Sequence, residues 1–309
     1  MRTRFFGLTA AVVLLSTAGI LRTAVSSEPP TGISSLGVLW GDGGSSGREA
    51  RESARGAIPL DRLADADRRA AETVLRKPTL YRRLPVESFS CDRALLDFSL
   101  THPEVVVDIW RVLGISRLTL ESTGPRQWRM SDGYGTVGTL RLMHQERTPE
   151  GGLLVLHGSG GYSGPLSPQP LSGNCLLLVR YRGTAPADDG TPRHAMQVDA
   201  FLDANGIGLE IVTKSLHPII VRSGAANLHE ICLFMQSLSE AAADNPEGVS
   251  RLAGRLSKVD PSARQTLGVL ARNIAGEGSR TDSIAAERLP GKLASRWVPA
   301  QHLEAERGR

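Results

Sequence analysis

What the chain has little of narrows its class first. Only four of its 36 basic residues are lysine (Lys77, Lys214, Lys258 and Lys292), and its arginines never run longer than a pair. A nucleic-acid surface gathers its cations on one face. Scattered among 32 acidic residues, these arginines describe a solvated exterior in spite of a pI near 9.2. Aromatic residues are also sparse, with six Phe, four Tyr and four Trp, too few for a platform that stacks bases. No nucleic-acid partner is expected.

Cysteine is limited to Cys91, Cys175 and Cys232, which rules out a disulfide framework and allows one bridge at most. Cys175 alternates with Leu177 and Val179, and Cys232 falls on an apolar helical stripe, so buried thiols are predicted. The first cysteine is Cys91, so no lipid-anchor cysteine stands near the N-terminus. Long hydrophobic runs are confined to Phe5 to Leu21, behind the basic Met1-Arg-Thr-Arg and ahead of the small residues Ala24-Val25-Ser26. This is the pattern of an export signal over 1–27, which left uncleaved would tie the protein to a membrane through residues 5–21. The expected location is periplasmic or extracellular.

A Pro-, Gly- and Ser-rich stretch over 28–57 reads as a disordered linker, and 58–84 as an N-terminal helix begun at Asp61 and set apart from the main domain. The main domain is predicted over 85–245. It opens with a short strand at Pro85 to Cys91, then a helix pair broken at His102-Pro103 and stopped at Gly114. From Ile115 to Leu202 the apolar period drops to two, in six segments punctuated mostly by turn residues, as in an antiparallel meander. Gly158 to Gly173 reads as a long loop within it. A long helix follows, its stripe formed by Leu228, Ile231, Cys232, Met235, Leu238 and Ala242. Each large aliphatic residue on that stripe contributes about 1.5–3 kcal/mol if buried, so the stripe demands a partner surface. A helical extension over 246–275 and a disordered tail over 276–309 complete the chain.

Strand, two helices, six strands and a long helix, with Asp199-Ala-Phe201-Leu-Asp203 leading out of the last strand, is an order that resembles the START-like helix-grip superfamily. Lipid-transfer domains, polyketide cyclases and a plant allergen family share it. The resemblance implies an α+β fold, a curved antiparallel sheet of about seven strands wrapped on the long C-terminal helix. It also implies an internal cavity for a hydrophobic or lipid-like small molecule, bound without chemistry. Two alternatives belong to the same frame. One is a cyclase- or dehydratase-type enzyme; the other is an envelope structural or interaction protein whose core is filled by side chains.

The residues nominated for a cavity wall are Trp110, Leu140, Leu142, His144, Arg180, His194, Met196 and Met235. His194 shares strand parity with Met196, and His144 with Leu140 and Leu142, so both would present a titratable ring to a ligand if that parity faces inward. Arg180 would meet an anionic ligand or Asp199, and with a histidine it makes the sole acid–base nomination. No catalytic residue, cofactor or metal is assigned. The string His157-Gly158-Ser159-Gly160-Gly161 resembles an oxyanion segment, but no Gly-x-Ser-x-Gly elbow lies downstream and no Lys-Ser or Lys-Thr follows it directly for a phosphate.

Overall fold

The structure, a computed structural model, describes residues 44–163, 170–187, 190–205 and 209–278. The export segment, the tail beyond 278 and part of the 158–173 stretch therefore lie outside the described residues.

Two helices come first, α1 (Arg48–Gly56) and α2 (Asp65–Arg76), with a single 3-10 turn at Leu60–Arg62 between them. Two short strands follow, β1 (Leu80–Arg83) and β2 (Glu87–Ser90), then the helix pair α3 (Arg93–Thr101) and α4 (Pro103–Val112). Asp92 caps α3 by accepting from the Leu95 amide at 2.9 Å, and Pro103 restarts the helix at a position where a missing N–H costs nothing. The meander then runs β3 (Thr119–Gly124), β4 (Gln127–Ser131), β5 (Thr136–Thr148), β6 (Gly151–Tyr162), β7 (Leu171–Thr184) and β8 (Arg193–Asn205). Three helices end the described chain: α5 (Leu209–Asp244), α6 (Pro246–Gly254) and α7 (Pro261–Gly278).

The fold is α+β around an open, curved antiparallel sheet. Its strands lie in the order β1-β8-β7-β6-β5-β4-β3, with β2 also pairing β8. Each neighbour from β3 to β8 is also the next in sequence, and the two early strands cross back to the far edge. Both faces of the sheet are covered. One packs against residues of α3 to α7 in a large apolar core, and the other against α1 and α2 in a smaller one.

Along α5 the anticipated stripe is buried at Leu228, Cys232, Met235, Leu238 and Ala242, and Phe234 and Ala241 widen it. The extra width has a cause. Helices α6 and α7 pack against the same helix and join the same core through Val249, Leu252, Leu256, Ala263 and Leu267, so 246–275 is part of the domain's interior and not an appendage.

Three further expectations are corrected. Residues 48–56, placed in a linker, form α1, whose Ala54 is fully buried in the outer core. The helix expected from Asp61 starts at Asp65, because Leu63 adopts an extended conformation to reach that same core. The loop drawn from Gly158 is strand: β6 continues to Tyr162 and β7 resumes at Leu171, in register all the way. Glycine carries no hydropathy signal, so the alternation faded there while the ladder did not.

Candidate functional site

Alternation assigns the side chains to faces. On the core face, Leu154 and Leu156 of β6 meet Leu142 of β5, Leu177 and Val179 of β7, and Met196 and Val198 of β8. Trp110, Leu140, Leu142, Met196 and Met235, all nominated from the sequence, come together in this core. The Trp110 ring stands edge-on to Phe234 with centroids 5.6 Å apart. A chamber large enough for a lipid would leave its wall open to a water-sized sphere. These five residues keep between 3 and 7% of their surface, so this part of the core is filled by its own side chains. Trp128 belongs to the same fill, its Nε1–H donating to the buried carboxylate of Glu104 at 2.6 Å and tying β4 to α4. Burial pushes the Glu104 carboxyl above its usual range.

His144 and Arg180 do not join them. A β-bulge between Leu142 and His144 inserts Met143, which turns into the outer core, and His144 pairs with Val155 on the outer side. One extra residue reverses the parity of everything after it. His144 Nε2 lies 2.9 Å from Glu146, which also accepts from Arg62. Arg180 shares the outer face with Leu178 and donates to Asp199 at 2.7 Å and to Gln197 at 2.9 Å. Asp199, fully buried, accepts in addition from Arg83 at 2.8 Å and from the Tyr81 hydroxyl at 2.6 Å. Of the two partners expected for Arg180 it is Asp199 that it meets, within an interior charge network beneath α1 and α2. Burial and the Asp199 carboxylate both hold the Tyr81 phenol protonated.

His194 is on the core face, 3% exposed, with Nε2 3.0 Å from the Cys91 carbonyl. A carbonyl can only accept, so Nε2 carries the proton and Nδ1 is a bare acceptor, with no partner among the described residues. Burial lowers its pKa, so the ring is neutral at pH 7. The Tyr181 hydroxyl donates to Asp97 at 2.5 Å, while the Arg93 guanidinium pairs with the same carboxylate and covers the Tyr181 ring. Burial, reinforced by Asp97, pushes the Tyr181 phenol up to about 12. Neither acid–base pair nominated from sequence, His144 or His194 with Arg180, has a shared site. His194 is on the opposite face from Arg180, and His144, on the same outer face two strands away, is engaged with Glu146 while Arg180 is bonded to Asp199. Among the described residues no cluster of His, Cys, Asp and Glu has the makings of a metal site. The three thiols are free and buried.

The part of the core face that sequence reasoning missed is farther along the strands. There Gly138, Gly160 and Gly173 pair across β5, β6 and β7, with Met130 of β4 and Ala204 of β8 at the two ends of the row. Gly158, one inward-facing position back on β6, continues the same bare floor between Leu140 and Cys175. Thr136 points to this face in step with Gly138 and Leu140; it is fully buried and its hydroxyl has no partner among the described residues. The oxyanion reading of the same glycines fails on geometry, since strand pairing on both sides commits the β6 backbone to its neighbours.

No protein-family model and no curated protein matches the chain. Among solved structures, an uncharacterised protein from Rhizobium leguminosarum is 12% identical, over 48% of this chain and 92% of that one, with a TM-score of 0.27. A conserved protein from Geobacillus kaustophilus is 13% identical over 48% and 92%, with a TM-score of 0.26. A protein from Rhizobium loti is 15% identical over 48% and 97%, with a TM-score of 0.22. Likeness at this level carries no argument for function.

Proposed function

We propose that the chain is an exported module of the START-like helix-grip type, its sheet wrapped on α5, which binds a hydrophobic or lipid-like small molecule between the core face and that helix without catalysing a reaction. Support for the architecture comes from the element order together with the return of β1 and β2 to the edge of the last strand. The observation that carries the binding reading is the row of glycines across three paired strands, each two residues in from a strand end. Glycine weakens a strand interior, and it is tolerated there where a ligand or another backbone must come close. The export reading rests on the basic, apolar and small-residue succession of 1–27.

A second reading is an envelope structural or interaction protein, and the filled region around Trp110 and Met235 favours it. Native mass spectrometry of the gently purified protein separates the two. A co-purifying adduct of lipid-like mass, lost on organic extraction, is the expected result. A spectrum showing only the bare chain would transfer the argument to the interaction protein.

A further inference from the structure

Between Arg83 and Asp92 the outer edge of the sheet is closed at its two ends and bare in the middle. Strands β1 and β2 run along β8 one after the other. The Leu84 amide donates inward to the Val198 carbonyl at 2.8 Å, and the Cys91 amide inward to that of Pro192 at 3.0 Å. Backbone groups alternate between the two sides of a strand, so Arg83, Ser88 and Ser90 turn theirs outward. Those of Arg83 are satisfied by Ser45, whose carbonyl accepts at 2.7 Å and whose amide donates at 2.9 Å. At the other end the Asp92 amide donates to Ser239 Oγ of α5 at 2.8 Å. Helix α5 itself lies over the core face of β2, where His229 meets Glu87 at 2.8 Å. The outward N–H and C=O of Ser88 and Ser90 have no partner among the described residues, and Ser88 is exposed.

Bare edge groups are a template for another strand, and a chain that leaves them open pairs edge to edge with its copies. This chain supplies an occupant of its own. The bridge between Ser45 and Arg83 is antiparallel, so the residues ahead of Ser45 are directed along this edge, past Leu84 and toward β2. Ser88 is five residues beyond Arg83, about 17 Å at 3.4 Å per residue, and five residues back from Ser45 stands Trp40. Trp40 ends the run Leu36-Gly-Val-Leu-Trp40, which is apolar, free of proline and includes the strand formers Val38 and Trp40. Gly41-Asp-Gly-Gly44, between run and bridge, gives the backbone freedom to follow the one-residue shift in pairing from β1 to β2. We propose that residues 36–40 dock in cis on the free edge of β2 as a further antiparallel strand and close that edge against a second copy of the chain. The run follows the export pattern of 1–27, so removal of that segment leaves the docking strand in place. The proposal stands apart from the binding reading, and a native spectrum without a lipid adduct leaves it untouched.

The test is residue-resolved amide hydrogen exchange of the full chain, with sedimentation to fix its mass. In wild type the Ser88 and Ser90 amides should exchange at least about a hundredfold more slowly than in an unstructured peptide, whatever the protein concentration. Consecutive N–H groups of a strand point to opposite sides, so only one of Val38→Pro and Leu39→Pro removes a donor aimed at β2. That variant should speed exchange at Ser88 or Ser90 by more than about tenfold, and its neighbour by less than about threefold. The Phe89 amide points inward to β8 and should keep its rate in both.

Free exchange at Ser88 and Ser90 in wild type would overturn the proposal, as would two proline variants that act alike. Protection that fades on dilution, as a dimer mass gives way to that of the monomer, assigns the edge to a second copy and sinks docking in cis. Protection lost in one proline variant alone, with Phe89 steady and a monomer mass throughout, upholds it.

Discussion

The two faces of this sheet are covered in chemically different ways. On the core face, α3 to α7 supply apolar side chains, and the strands answer with Leu, Val and Met, so non-directional burial holds that layer. On the outer face, the short helices α1 and α2 cover a smaller apolar patch through which the strands carry Asp199, Gln197, Arg180 and Arg83, held by directed hydrogen bonds. The lesson concerns tolerance. An apolar layer adjusts to a change of shape and not to a charge, whereas a satisfied ionic network fails when any one member is removed.

Three measurements would break or sharpen that contrast. The largest effect is expected for Met235→Asp, which places an unpaired carboxylate among the buried residues of α5 and should cost more than about 4 kcal/mol or prevent folding. A melting temperature lowered by only a degree or two would contradict the packing of α5. Next is Asp199→Ala, which strands the Arg83 guanidinium inside the protein and should cost about 3–5 kcal/mol in urea denaturation. A loss near zero would mean that the outer network is ornamental.

The smallest effect concerns His194, the one imidazole on the apolar face. Its folded pKa lies below the ordinary 6.5, so the unfolded chain takes up the proton first as pH falls. Its contribution is complete above pH 6.5 and drains away from there down to the folded pKa. Between pH 7 and 5 the urea midpoint of wild type should therefore fall more than that of His194→Gln. Parallel midpoints for the two proteins would show that the ring is not held neutral.

Much of the fold could be read from local pattern. The apolar stripe from Leu228 to Ala242, the break at His102-Pro103 and the period-two run after Ile115 each report a backbone geometry that hydropathy follows directly. The candidate site residues were harder. His144 was assigned to the wrong face because a bulge at Met143 is invisible to alternation counted from Leu140. Arg180 was read as partner of Asp199, and that pairing is present, but its depth came from α1 and α2 lying over it, a segment taken for linker and outlying helix. The glycine floor was hidden for a simpler reason. Gly138, Gly160 and Gly173 are 22 and 13 residues apart, and only strand pairing brings them into one row.

By itself the sequence determined the order of elements from β2 to α7 and the apolar side of most of them, because side-chain periodicity is a local property of helix and strand. Tertiary structure alone decided which strand face meets which helices, where one extra residue reverses that choice, and which distant glycines share a surface. Those are facts of register, and register is a relation between strands that no single stretch of chain contains.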